Sequence, residues 1–356
     1  MQLRFRFAIA SDLHIALPHT IWDHPSRFHL VELSIPALEV VLGHLAQLDL
    51  DFLLLPGDLT QHGEPDNHAW LSQRLAELPY PVYVIPGNHD VPTVDSLDKF
   101  TPHYRSFGYN NPALLYYECE ILSGVHLIGL NSNHFDDHER QFGWLDRDQL
   151  DWLESVLSRV SKNKLVLVMI HHNVLEHMPG QASNPLGKRY MLGNADRLCQ
   201  LLHQAGVNLI FTGHLHVQDI AKCDRFNLYD ITTGSLVSYP HPYRVLTYER
   251  DRHAERLLIE SYRVDALPEQ PHLQNFSREW MGDRSHPFML NLLTKPPLNL
   301  PMEIAETMTP HLRYFWAKIA DGDAEFSFPD LPSTAKKYFE AFSDRPPADN
   351  HATLEL

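Results

Sequence analysis

Five short polar clusters in this chain carry side chains able to bind cations and move protons: Asp12-Leu13-His14, Gly57-Asp58, Gly87-Asn88-His89-Asp90, His171-His172 and Gly213-His214-Leu215-His216. Their donors are carboxylate oxygen, imidazole nitrogen and amide oxygen, with no thiolate. Such a set suits Mn, Fe, Zn, Co or Ni ions held for catalysis better than a structural zinc knuckle. Asp12 and His14, like His214 and His216, are separated by one residue. In an extended strand each pair would point to one side and reach one ion or two neighbouring ones. Singly, each cluster also has an ordinary reading. Gly-Asp is a common turn dipeptide, and His214-x-His216 suits two strand histidines on a solvent face.

What joins the clusters is what precedes them. Apolar runs at 5–10 (FRFAIA), 51–56 (DFLLLP), 81–86 (PVYVIP), 164–170 (KLVLVMI) and 207–211 (VNLIF) each end where a cluster begins, and VHLIGL (125–130) is a sixth run of the same kind. Their length and β-branched content predict buried strands. Between them, Leu71, Leu75 and Leu78 share a helical face, as do Leu150, Leu153, Leu157 and Val160. Alternating strands and helices imply an α/β layered core, in which loops beyond the carboxyl ends of the strands gather at one edge. Beyond Gly213, the strand-like pieces FNLYDITT, YRVLTYER and ERLLIESYRV predict a second, more antiparallel sheet. VDALPEQPH (264–272) reads as a linker, and the remainder as largely helical. There Leu312, Phe315, Trp316 and Ile319 form a stripe that must be buried.

The bulk properties narrow the function classes. Lys and Arg total 29 against 45 Asp and Glu, a formal charge of -16, which argues against a surface that tracks nucleic-acid phosphates. Cys119, Cys199 and Cys223 are too scattered for a disulfide framework, so a reducing cytoplasm is the expected compartment. The N-terminal segment leads straight into Asp12 without the pattern of a signal peptide. No stretch approaches the roughly 20 apolar residues of a membrane span.

Together these clusters resemble the full signature of calcineurin-like metallophosphoesterases, across residues 5–260. The resemblance implies an α/β four-layer αββα sandwich of two mixed sheets as a catalytic domain at 1–265. A mainly helical extension at 266–356 would then serve as cap, packing element or oligomer contact. It also implies two divalent or trivalent ions, with Asp12, His14, Asp58 and His216 on the first and Asp58, Asn88, His171 and His214 on the second. His89 would stand near the leaving-group oxygen, and Asp90 would hold its loop. Residues 57–78 and 81–90, Asn131-Ser132 and residues 233–249 are similar to the class III cyclic-nucleotide phosphodiesterase group. That group often has His-His-Pro-Pro where this chain has His171-His172-Asn173.

The expected activity is therefore hydrolysis of a small phosphodiester of the 3',5'-cyclic AMP type by a metal-bridging hydroxide, with no nucleic-acid or membrane partner. A phosphomonoesterase or protein phosphatase on the same site is the first alternative, and a metal-free interaction scaffold the second. His62, Asn131, His172, His241 and Arg244 fall on loops expected at the rim, where solvated positions are the ordinary outcome.

Overall fold

The computed structural model describes residues 2–22 and 27–356. The chain opens with β1 (Leu3–Ile9), α1 (Ser34–Leu45), β2 (Phe52–Leu55), α2 (Pro65–Ala76) and β3 (Val82–Val84). After the short α3 (Leu97–Phe100) come β4 (Tyr117–Leu122), β5 (Val125–Gly129) and a small pair, β6 (Asn133–Phe135) and β7 (Gln141–Gly143). Next follow α4 (Arg147–Arg159), β8 (Leu165–Met169), α5 (Pro185–Lys188), α6 (Ala195–Ala205) and β9 (Leu209–Thr212). Four strands, β10 (Asp219–Cys223), β11 (Leu228–Thr232), β12 (Pro242–Arg250) and β13 (Glu255–Arg263), precede the C-terminal helices. Those are α7 (Leu273–Thr294), α8 (Met302–Met308), α9 (Phe315–Asp321) and α10 (Ser333–Glu340), and β14 (His351–Glu355) closes the chain.

All six apolar runs become strands, in two mixed six-stranded sheets ordered β14-β13-β12-β1-β2-β3 and β10-β11-β9-β8-β5-β4. The runs are apolar throughout because both faces of each strand are covered. Leu127, Leu167, Met169, Leu209 and Phe211 point into the core between the sheets, where Phe211 meets Phe7 edge to face at 5.6 Å. Their neighbours Ile128, Val168, Ile170 and Ile210 point the other way, onto α4 and α6. This period-two split places helices outside a two-sheet interior. The stripe at Leu150, Leu153, Leu157 and Val160 does pack in that outer layer, and Asp146 caps α4 by accepting the Gln149 amide at 2.7 Å.

The strands after Gly213 do not form a sheet of their own, contrary to the sequence expectation. β10 and β11 extend the second sheet, while β12 pairs antiparallel with β1 and carries β13 with it. Nor is 264–272 a free linker, since Val264 and Leu267 are buried in the main core. The C-terminal helices enclose a third core in which Met289, Leu292, Leu312, Phe315, Ile319 and Phe339 cover Leu215 and Val217. The Leu312–Ile319 stripe is thus buried against the loop that carries His214 and His216. β14 then returns to pair antiparallel with β13 at the edge of the first sheet.

Candidate metal centre

Each cluster leaves the carboxyl end of a parallel strand: Asp12 and His14 follow β1, Asp58 follows β2, Asn88 and His89 follow β3, His171 follows β8, and His214 and His216 follow β9. They converge at one edge of the sandwich. One ligand atom from each of Asp12, His14, Asp58 and His216 lies within 4.8 Å of the others, and so do those of Asp58, His171 and His214. The two sets share Asp58. Asn88 belongs with the second, its Oδ1 being 3.1 Å from His171 Nε2.

The one-residue spacing works differently from a strand. Asp12, His14, Asp58, His214 and His216 all adopt positive φ, between 43° and 67°. Left-handed backbone costs a non-glycine residue roughly 1–2 kcal/mol, so five such residues at one edge mark loops over-determined by their surroundings. Asp90 is one source of that constraint. Its carboxylate accepts the amides of Leu59, Thr60 and Gly87 at 2.8–3.0 Å, tying the loop of Asp58 to the loop of Asn88. Gly87 is required by close approach, because a Cβ there would run into the backbone nitrogen and Oδ1 of Asp58.

Hydrogen bonds behind the cluster set the histidine tautomers. His171 Nδ1 donates to Pro56 O at 2.8 Å, which leaves Nε2, 3.4 Å from Asp58 Oδ2 and facing Asn88 Oδ1, as the nitrogen that would take a cation once it gives up its proton. His89 Nδ1 donates to Gln61 O at 2.6 Å. Burial works against a charge on His171, but Asp58 and Asp12 outweigh it and lift its pKa to about 9. Burial, followed by neighbouring histidines, holds His14 and His214 well below the usual imidazole range. Both ring nitrogens of His14 are buried with no hydrogen-bond partner among the described residues. An orphaned buried imidazole beside a carboxylate fits a cation ligand, and the N/O donor set fits the ions expected from sequence.

His29 was not singled out by the sequence. Its Nε2 is 3.1 Å from His216 Nδ1, leaving His216 Nε2 facing Asp12 Oδ1 at 3.0 Å. The segment is pinned from both sides, by the Trp280 indole N–H to Phe28 O at 3.1 Å and by the Leu30 amide to Val237 O at 2.7 Å. Among the described residues no strand ends just before His29, so the rule that located the other clusters could not find it. Of the expected rim residues, His172 does line the cavity beside the cluster. His241 and Arg244 are instead fully buried, with the Arg244 guanidinium bonded to the carbonyls of Thr232 and Asp349. Both sit on or next to β12, which lies between β1 and β13 and has no solvent face there.

The loop after β8 also forms cavity wall, through Met178 and Pro179. It is anchored by His177, whose Nδ1 lies 2.5 Å from Asp219 and whose Nε2 lies 3.3 Å from Asp230. Burial opposes a charge on His177, but the two carboxylates prevail and raise its pKa to about 10. A folded pKa above the unfolded value of about 6.5 means the pair stabilises fully below that pH and fades as pH rises toward 10. Urea midpoints should therefore fall between pH 6.5 and 10, and His177→Gln should flatten that fall. Equal slopes for the two proteins would refute the assignment.

The calcineurin-like phosphoesterase profile matches residues 5–218. Purple acid phosphatase 18 of Arabidopsis thaliana is 31% identical over 51% of this chain and 41% of its own length. A probable cyclic nucleotide phosphodiesterase of Synechococcus is 32% identical over 51% of this chain and 64% of its own. The matches thus span less than two thirds of either relative. Among solved structures, a dimetal phosphatase from Danio rerio superposes with a TM-score of 0.54 at 16% identity, covering 72% of this chain and 95% of that one. At that identity the likeness speaks for the fold alone. With the profile spanning five strand-end loops that bring two donor sets onto one aspartate, the chain belongs to the calcineurin-like phosphoesterase family.

Proposed function

We propose that this phosphoesterase cleaves a small phosphodiester of the cyclic-nucleotide type, with two bound ions. The observation that carries it is the pair of donor sets sharing Asp58. In this reading Asp12, His14, Asp58 and His216 hold one cation, and Asp58, Asn88, His171 and His214 the other. Mn, Fe or Zn ions in such a pair supply Lewis acidity toward phosphoryl oxygens and an acidified water. The chain's own residues do the rest. Asp58 is fixed by the His89 amide at 2.8 Å, and Asp90 locks the two loops that carry Asp58 and Asn88. His89, held through Nδ1 by Gln61 O, lines the cavity and, as an imidazolium, would give the proton on its other nitrogen to the leaving oxygen, becoming neutral imidazole.

Relatives named as cyclic-nucleotide phosphodiesterases, in Synechococcus and Nostoc, support diester cleavage, while the purple acid phosphatases favour a monoesterase reading. Turnover after Mn(II) loading of cyclic AMP, bis-p-nitrophenyl phosphate and p-nitrophenyl phosphate separates the two. Diester turnover is expected to dominate, and hydrolysis of p-nitrophenyl phosphate alone would overturn the proposal. The division into a catalytic part at 1–265 and an extension at 266–356 belongs to the same proposal, as does a cytoplasmic location, which suits the three free thiols. No described helix is long and apolar enough to cross a membrane.

A further inference from the structure

The cavity beside the donor cluster measures about 500 Å³, within the range of sites that enclose whole organic ligands. A phosphoryl group alone leaves most of it unfilled. One wall is the cluster itself, with Asp58, Asn88, His89, His214 and His216. Three aromatic residues from the C-terminal part, outside residues 5–218, line the cavity as well: Phe288 on α7, Trp316 on α9 and Phe342 just after α10. Phe288 and Trp316 meet edge to face at 5.5 Å, and Phe342 is braced edge to face by the buried Phe315 at 5.3 Å. All three rings are only half-buried, so they keep surface toward the cavity. Tyr190 belongs to the lining too, its ring 5.1 Å from that of His214.

The cavity lining also holds a cation. The Arg27 side chain is 8% exposed and pairs with Glu32 through Nη2, yet its Nε and Nη1 are buried without a hydrogen-bond partner among the described residues. Arg27 lines the same cavity. Buried donors of this kind call for an acceptor. An alkyl chain would fill the aromatic wall but leave these donors orphaned, and a polyol would satisfy the donors but offer no flat face to the rings. A flat ring carrying acceptor atoms answers both, since aromatic side chains stack on such rings with little regard to their identity.

We propose that the C-terminal helices and Arg27 form a subsite for a heteroaromatic ring with hydrogen-bond acceptors, attached to the phosphoester, and that this subsite rather than the metal cluster selects the substrate. The inference rests on the phosphoesterase reading of the cluster. Adenosine 5'-monophosphate and ribose 5-phosphate differ only in the ring, so their binding to the full-length, Mn(II)-loaded protein, measured by calorimetry, isolates the subsite. The nucleotide should bind about tenfold or more tightly. Trp316→Ala and, separately, Arg27→Met should each reduce that ratio severalfold while leaving ribose 5-phosphate affinity in place.

Equal affinity of the two ligands for the wild-type protein would overturn the subsite, as would a ratio unmoved by both variants. Preferential binding of hexyl phosphate over the nucleotide would overturn it in favour of an alkyl group. Failure of the phosphodiesterase reading is distinct, because it shows as absent diester turnover with the ligand ratio intact.

Discussion

Asp58→Asn should abolish both halves of the proposed cation site at once. After loading with Mn(II), metal content should fall from about two ions per chain to below one, and turnover of bis-p-nitrophenyl phosphate should drop roughly a thousandfold or more, well beyond the 10–100-fold typical of losses behind the ligands. The substitution isolates charge from shape. The carbonyl oxygen of the introduced carboxamide would still accept the His89 amide, a bond that Asp58 Oδ1 makes at 2.8 Å in the native protein. The position of Asp58 Oδ2, 3.7 Å from His14 Nε2 and 3.4 Å from His171 Nε2, would be taken by an NH2 that gives no lone pair to a cation.

Thermal unfolding separates this from misfolding. Asp58 is 1% exposed; burial works against its charge, but His171 and His89 outweigh it and hold its carboxyl well below the usual range. The metal-free variant should therefore melt at a lower Tm than the native protein, yet still in one cooperative transition. The rise in Tm that Mn(II) gives the native protein should disappear, because ligand stabilisation requires binding to the folded state. A variant that keeps two ions and the Mn(II)-dependent rise would end the shared-aspartate account.

His89→Ala should have the second-largest effect, with a different signature. The side chain is tied through Nδ1 to Gln61 O, and its contact with Asp58 runs through the backbone amide, which alanine retains. Metal content should stay at about two per chain, while kcat falls about 10²–10⁴-fold for esters whose leaving oxygen needs a proton. The loss should shrink for p-nitrophenyl esters, whose leaving group departs as the anion. A uniform loss across leaving groups, or none, would remove the proton-donor role and leave His89 as an orienting residue.

How much of this was legible beforehand varied with the kind of information. The strands were legible because both faces of β5, β8 and β9 are covered, which makes their sequences apolar throughout. The helix at 147–159 was legible because one covered face imposes a stripe. The partition of the later strands was not. Whether β12 joins β1 or stands in a separate sheet depends on pairing between residues more than 230 positions apart, such as Phe7 with Leu246. No local pattern records such a partner. His241 and Arg244 looked like rim residues for the same reason, since a polar side chain gives no sign of burial until its neighbours are known.

The sequence by itself determined the donor clusters and their common edge, because a catalytic cation demands particular side chains and a strand end demands a particular apolar run before it. Only the tertiary structure decided what surrounds them. His29 reaches His216, Trp280 pins Phe28, and Phe288, Trp316 and Phe342 close the cavity, all through contacts between segments far apart in the chain. Ligand chemistry is a property of residue types and survives in the one-dimensional order. The shape of a cavity is a property of packing, set by apolar burial that is indifferent to sequence separation.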